Sequence, residues 1–472
     1  MQSIVVFSHL RWDFVFQRPQ HLMTRLARSY NVFFFEEPVH DPGEPWLETS
    51  SPAAGVTVCR AHTPISDAGF ADGQFPVSRM LLGRMLREQS IVAPVAWMYT
   101  PMALPMLEGL DTAAVVYDCM DELSAFLNAP RELLQREAAL LKLADVVFTG
   151  GPSLFRSKRH LHGNVHCFPS SVQRDHFARA RDASIDHDEQ RAIPHPRLGF
   201  FGVIDERFDP ASIALLADTH PEWQVVLVGP VVKIDAATLP RRPNIHYFGQ
   251  RSYQELPAFL AGWDVCLLPF AMNESTRFIS PTKVLEYMAA EKPIVSTPVT
   301  DVVAPYGHIV HIGADPESFV AACEQSLRES DEVRAKRLAQ MQEVVNATSW
   351  EMTATTMAAL IESAMQLRRK RRSAAAGAAE ARRVVVIGAG PTGLSAAYHL
   401  APGTSPGLAA NDGAEGGDLL LEQQPTVGGW CRSVEDHGFT FDCAGHIMFS
   451  NDPYVHDLYG KLLGDNVHWQ DR

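Results

Sequence analysis

Short apolar runs alternate with helical patterns along most of the chain. "SIVVFSH" (3–9), "NVFFFEEP" (31–38), "APVAWMYT" (93–100), "AAVVYDC" (113–119) and "ADVVFTGG" (144–151) are compact and rich in Val, Phe and Ile. Strands buried on both faces have that pattern, and their alternation with helices predicts a parallel sheet. Between them, "RPQHLMTRLARS" (18–29) and "PRELLQREAALLKL" (130–143) space their apolar residues as helices do. The polar stretch "ARARDASIDHDEQRAIPHPR" (178–197) precedes a second series: "LGFFGVID" (198–205), "WQVVLVGP" (223–230), "NIHYFGQ" (244–250), "WDVCLLPF" (263–270) and "KPIVSTP" (292–298). A long helical pattern follows, over about 315 to 370. The expected fold class is α/β, with two Rossmann-like domains and a site in the cleft between them.

Beyond this lies "LRRKRRSAAAGAAEARR" (367–383), a basic, Ala-rich linker or a solvated helix end. It leads into "VVVIGAGPTGLSAAYHL" (384–400), an apolar strand, a glycine loop and an Ala-rich helix. The expected domains are 1–185, 190–366 with a returning helix, the linker 367–383 and a partial dinucleotide-binding segment 384–472.

Composition narrows the classes. Of 472 residues, 46% are hydrophobic and 20% charged, which suits a globular protein with real cores. The formal net charge of −14 argues against nucleic acid as a main partner, since phosphate backbones need a basic field. Seven cysteines lie at irregular spacing with no Cys-x-x-Cys pair, so a disulfide framework is not expected. No signal-peptide pattern opens the chain, and no apolar run reaches the ~18 residues of a membrane span. The expectation is a cytoplasmic protein, with peripheral contact at the cytoplasmic membrane left open.

The stretch "NESTRFISPTKVLEYMAAEKPIVSTPV" (273–299) carries the most chemistry in the first 360 or so residues. Ser280 and Thr282 are placed to cap a helix starting near Lys283, with Pro281 fixing the approach. A helix start with free amides and a lysine attracts phosphate, and Glu286 in its first turn suits ribose hydroxyls. The competing reading is a capped surface helix with an ordinary Lys/Glu first turn.

The order "FFGVIDERFD", "VVLVGP", "NIHYFGQRSYQELPAFLAGWDVCLLPF" and "SPTKVLEYMAAEKPIVST" resembles the nucleotide-sugar domain of family-4 retaining glycosyltransferases of the GT-B fold. Upstream, "HLRWDFVFQRPQHLMTRLA" and "VVYDCMDELSAF" are similar to a subgroup that includes teichuronic-acid-type glycosyltransferases. The likeness runs over roughly residues 1 to 365. It implies a retaining transfer from a nucleotide-sugar, UDP-linked, to a cell-envelope polysaccharide or lipid-linked acceptor, with no metal or other cofactor required. It also implies that Arg207 and Lys283 face the diphosphate, Glu286 binds ribose, and Gly202 and Gly249 lie on loops beside the nucleotide. The family's first glutamate falls at Phe278, so Asn273 or Glu274 is the expected substitute contact to the donor sugar.

The first domain is expected to bind the acceptor. Its first loop, "SHLRWDFVFQRPQ" (8–20), offers Arg11, Asp13, Arg18 and Gln20, and "YDCMDELSAF" (117–126) offers Asp118 and Asp121 beyond a strand end. For Asp121 a helix-capping role is an equal alternative. Three weaker patterns are noted. His160, His162 and His166 lack a known metal spacing. Arg79, Arg84 and Arg87 belong to an amphipathic helix that either packs on its own domain or meets an anionic membrane. Cys119 lacks a histidine partner in sequence.

In the C-terminal segment Gly388 permits the tight turn, Gly390 close approach of a pyrophosphate, and Gly393 helix-to-strand packing. Glu422 falls at the ribose position, and Gly428, Gly429, Arg432 and Ser433 follow in "PTVGGWCRS" (425–433). The combination resembles the start of flavoproteins such as UDP-galactopyranose mutase and the protoporphyrinogen-oxidase-like group, which implies FAD; Gly445 and His446 extend the likeness. Those relatives run several hundred residues further, so the segment reads as incomplete, with poor FAD retention. Two alternatives to the transferase remain: an FAD-dependent oxidoreductase with an assisting N-terminal part, and a non-catalytic GT-B binding module.

Overall fold

A computed structural model describes residues 1–379, 385–400 and 419–442, together with positions 456, 458, 460, 461 and 464. Gly445 and His446 lie outside the described residues. Two units separate, Met1–Arg371 and Arg372–Arg472.

The first unit contains two sheets. In the first, β1 (Ser3–Ser8), β2 (Asn31–Glu36), β3 (Val39–His40), β4 (Trp46–Ala53), β5 (Val56–Thr63), β6 (Val95–Met98), β7 (Ala114–Cys119), β8 (Val146–Thr149) and β9 (Val165–Cys167) assemble in the order β3-β5-β2-β1-β6-β7-β8-β9. All these pairings are parallel; β4 alone is antiparallel, against β5. The second sheet has β10 (Arg197–Phe201), β11 (Gln224–Val228), β12 (Ile245–Gly249), β13 (Val265–Leu268), β14 (Ile294–Ser296) and β15 (His311–Ile312), in the order β12-β11-β10-β13-β14-β15. Strand order reverses beside β1 in one sheet and beside β10 in the other, and parallel sheets bind ligands outside the carboxyl ends at such points.

Each sheet is buried on both faces, as the uninterrupted apolar strands require. Along β1, Ile4 and Val6 enter one core while Val5 and Phe7 enter the other. A fully buried side chain of this size contributes about 1.5–3 kcal/mol, so strands this apolar fix their place strongly. The amphipathic helix Phe75–Glu88 lays Phe75, Leu81, Leu82, Met85 and Leu86 on the first sheet, and Arg79 and Arg84 pair with Glu108 and Glu88.

Three features depart from the sequence expectations. The hairpin-like β3–β5 region was not foreseen, because β4 is a mostly exposed edge strand with a polar sequence. The long helical pattern divides into Pro316–Leu327, Asp331–Asn346 and Trp350–Ala379, so most of the basic stretch is helical. Chain halves also exchange elements: Val172, Phe177 and Ala180 lie in a core of the second sheet, ahead of the expected boundary at 185. In return, Trp350, Met357, Ile361 and Met365 pack into the first sheet's core. The two crossings touch, with Ser171 Oγ and Thr348 Oγ1 2.8 Å apart. Among the described residues, no helix is long and apolar enough to cross a membrane.

The second unit pairs β16 (Val385–Ile387) parallel with β17 (Leu419–Leu421), and β18 (Ser433–Asp436) antiparallel with β19 (Phe439–Asp442).

Candidate functional site

The floor of the cleft is backbone. Gly202 follows β10 with φ +139°, and its N–H donates to the Val228 carbonyl at 2.8 Å. Gly229 follows β11 with φ +150°, and a Cβ there would lie 1.9 Å from the Gly202 oxygen. Both positions need glycine for conformation and for space. The Gly229 N–H donates to the Gly249 carbonyl at 2.7 Å, extending this bare edge to the end of β12.

Two cations border it. Lys283 opens the helix Lys283–Ala289 and runs its stem directly over Gly202. Its ammonium stands 5.6 Å from the Phe200 ring centroid. Arg207 is gripped by Asp205 in a fork, Nε to Oδ1 at 3.0 Å and Nη2 to Oδ2 at 2.6 Å. Phe126, from the loop after β7, lies with its ring centroid 5.2 Å from the same guanidinium. Arg207 is therefore aimed, whereas among the described residues Lys283 has no ion-pair partner. Burial lowers the Lys283 pKa, with nearby Glu286 opposing and Arg207 adding to the fall. One turn along the helix, Glu286 is 8% exposed, and burial raises its carboxyl to about 7 against the pull of Lys283.

The first sheet supplies the opposite wall. Arg18, Met120, Asp121, Phe16 and His21 line it, facing Tyr253 of the second half. Burial raises the Asp121 carboxyl, and Arg207 and Arg18 oppose this. Phe16 and Tyr253 meet at 4.6 Å between ring centroids, while His21 stacks on Trp350 at 4.7 Å. Among the described residues, the buried His21 Nδ1 and Tyr253 hydroxyl have no hydrogen-bond partner.

Of the residues singled out in the sequence, Gly202, Arg207, Ser280, Thr282, Lys283, Glu286, Arg18 and Asp121 meet in this one cleft. Others do not. Arg11 donates to Glu36 at 3.1 Å and to the Glu37 carbonyl, inside its own half. Asp13 is 75% exposed at its side chain, near Arg60. Asp118 is wholly buried in a two-point bond with Arg18, at 2.9 and 3.2 Å, and serves the fold rather than the cleft. Asn273 caps a turn and donates to the Glu206 carbonyl, and Glu274 faces solvent beside Arg277. Neither lines the cleft. Phe278 packs against the first sheet's core. The helix does start at Lys283, but no side-chain bond caps it at Thr282. Sequence reasoning missed Phe16, His21, Gly229, Gln250, Arg251 and Tyr253; of these, Gly229 was legible as the glycine ending "VVLVGP".

The weaker patterns resolve structurally. His162 pairs with the Ala144 carbonyl and His166 with Asn164, beside β9, and no metal-type cluster occurs among the described residues. Cys119 is buried, and burial drives its thiol pKa upward, away from a nucleophile.

In the second unit, Gly388 ends β16 with φ +94°, and a Cβ on Gly393 would fall 1.8 Å from the Gly388 oxygen. Glu422 accepts the Ala389 N–H at 2.7 Å, and the Gly428 N–H donates to the Ala389 carbonyl at 2.7 Å. Arg432 Nε donates to the Gly429 carbonyl at 3.0 Å. Gly390 and Gly429 lie against each other, and the loop's one side chain is the buried Ala389 methyl, which leaves backbone where a dinucleotide's phosphates would approach.

Two strand-reversal points, a glycine floor and two flanking cations make a cleft suited to a phosphate-bearing ligand. Residues 197–329 match the family "glycosyl transferases group 1", and residues 386–462 match the NAD(P)-binding Rossmann-like domain. The chain is 27% identical over 263 residues to the putative teichuronic acid biosynthesis glycosyltransferase TuaH of Bacillus subtilis (strain 168), covering 51% of this chain and 65% of that protein. In fold it resembles sucrose-phosphate synthase from Thermosynechococcus elongatus, with a TM-score of 0.60 and 17% identity, over 79% of this chain and 100% of the other. It also resembles a trehalose-6-phosphate protein from E. coli bound with UDP-2-fluoro glucose, with a TM-score of 0.53 and 13% identity, over 76% and 99%. A Burkholderia xenovorans UDP-forming trehalose-phosphate synthase in complex with glucose-6-phosphate gives a TM-score of 0.57 and 10% identity, over 76% and 100%. The chain thus resembles group 1 glycosyl transferases over 197–329 and GT-B proteins in the fold of its first unit, and NAD(P)-binding Rossmann-like domains over 386–462.

Proposed function

We propose that the first unit transfers a sugar, with retention of configuration, from a UDP-sugar to a cell-envelope polysaccharide or lipid-linked acceptor. The observation that carries this is the meeting of Gly202, Arg207, Lys283 and Glu286 in one cleft. The donor diphosphate lies along the glycine edge. Lys283 and the Asp205-aimed Arg207 take up the charge that grows on its oxygens as the glycosidic bond breaks. Glu286, one turn from Lys283, accepts the ribose hydroxyls. Phe16, His21 and Tyr253 exclude water from the closed cleft. The UDP-sugar bound to the E. coli structural neighbour and the teichuronic-acid name of the bacterial relative support the donor and acceptor classes.

The test is a panel of UDP-, GDP- and dTDP-sugars, scored by thermal shift and by nucleotide release, with Lys283→Ala and Glu286→Ala beside the unaltered chain. A bound donor raises apparent stability by mass action. If no donor shifts the melting temperature and neither substitution matters, the reading fails. Donor binding without nucleotide release or transfer identifies a binding module instead.

For the second unit, the loop Gly388–Gly390, whose one side chain is the buried Ala389 methyl, and Glu422 fit a dinucleotide, and we take FAD as the candidate. Gly388, Gly390, Gly428 and Gly429 would border its pyrophosphate and Glu422 its ribose; bound, it would supply redox chemistry that sugar transfer does not use. A flavin absorbance retained by the purified chain after incubation with FAD would support this candidate, and its absence would remove it.

A further inference from the structure

β1 ends at Ser8, so His9 stands at the carboxyl end of the strand beside which the first sheet's order reverses. Gly202 holds the matching place after β10 on the donor side. Among the described residues, the buried Nδ1 of His9 has no hydrogen-bond partner. Native structures leave few such atoms unpaired, and an orphan at a strand-reversal point calls for a ligand. The Ser8 hydroxyl accepts the Leu10 N–H at 3.0 Å and donates to the Leu10 carbonyl at 3.1 Å, which fixes the turn that aims the ring.

What His9 faces is the other half of the unit. Burial and then Lys233 lower its pKa to about 4, so the imidazole is neutral, with one nitrogen that donates and one that accepts. Lys233 belongs to the second half, and its backbone is in the left-handed region at φ +64° although it is not glycine. Strain of that kind gathers at ligand clamps. The Lys233 ammonium stands 4.9 Å from the Phe126 ring centroid, on the same ring that Arg207 covers. Neighbouring charges on the first half are already engaged, Arg18 with Asp118 and Arg11 with Glu36.

We propose that His9 binds a ring hydroxyl of the acceptor glycan, donating to or accepting from it, and holds the acceptor against the first sheet while the donor diphosphate lies along Gly202. This rests on the transferase reading above. A sugar hydroxyl both gives and takes a hydrogen bond, so it satisfies Nδ1 in either tautomer of a neutral imidazole, which a strictly apolar ligand does not.

The test uses the full chain. UDP is titrated first, then n-octyl β-D-glucopyranoside is titrated into UDP-saturated protein by calorimetry. His9→Ala should keep its UDP affinity within about twofold and weaken glycoside binding about tenfold, the size of one lost hydrogen bond. His9→Asn, which still donates and accepts, should recover most of that loss. In unaltered protein labelled with 15N-histidine, the glycoside should move the His9 nitrogen resonances, which keeps the test open if His9→Ala does not fold. Unchanged glycoside affinity in His9→Ala, unmoved resonances, or no saturable glycoside binding to UDP-saturated protein each overturns the proposal. Failure of unaltered protein to bind UDP counts against the donor reading instead.

Discussion

A Cβ on Gly202 would fall 2.1 Å from Cε and 2.6 Å from Nζ of Lys283. The position of the lysine we propose to face the diphosphate thus depends on a residue some eighty positions earlier having no side chain. Gly202→Ala is expected to push the ammonium off the floor as well as strain a φ of +139°. Nucleotide release from the donor should fall by about tenfold or more, one lost charge-assisted contact, with the far-ultraviolet circular dichroism unchanged. Lys283→Ala should give a similar loss. An active Gly202→Ala chain would show that Lys283 does not act from this position.

Glu286 predicts a pH dependence. Its native pKa of about 7 is above the ordinary 4.5, so the native state holds the extra proton and stability declines as pH rises from 4.5 through 7. Binding runs the other way, because the ionised carboxylate is the better acceptor for ribose hydroxyls. UDP-glucose, whose diphosphate has no titrating monoester, should bind more tightly as pH rises through 7. Glu286→Gln should flatten that slope in calorimetry, and an equal slope in both proteins would remove Glu286 from the donor site.

Asp205 and Arg207 are expected to act as one unit. Asp205→Ala leaves the guanidinium unaimed and should weaken UDP-glucose binding about tenfold, while the double substitution should be no worse than Arg207→Ala alone. Additive losses would mean that Asp205 contributes by another route.

Arg18 and Asp118 give a stability prediction. Both are buried, at 3% and 0% exposure, and Arg18 also donates to the Phe168 carbonyl at 2.7 Å. Asp118→Ala strands a buried cation and should cost about 3–5 kcal/mol in urea unfolding. A loss under about 1 kcal/mol would return Asp118 to the cleft as a ligand contact.

The sheets were legible because strands buried on both faces need apolar residues in succession, and the middles of β1, β2, β7 and β11 supply them. The gathering of Gly202, Arg207, Lys283 and Glu286 in one cleft was legible for a local reason: they sit next to strand ends or on a helix's first turn, where backbone geometry places them at the sheet's carboxyl edge. Arg11 and Asp118 were misjudged because their direction is set by distant partners. Glu36 lies 25 residues from Arg11, and Arg18 lies 100 residues from Asp118. Phe177 and Trp350 show a further limit, since hydrophobic spacing does not say which sheet an apolar residue will cover. His9 and Tyr253 were invisible for a related reason, since an unpaired atom exists only once everything around it has paired.

The exchange of elements between halves has a mechanical consequence. The chain passes from the first sheet's core at Phe168 to the second's at Val172, and back between Val345 and Trp350, with the two passages bonded at Ser171 and Thr348. Two adjacent strands of polypeptide joined at one point form a pivot, resisting translation and twist more than swing. The halves should therefore open as a door does, along a single arc, and spin-label distances across the cleft should change in proportion to their distance from that pivot.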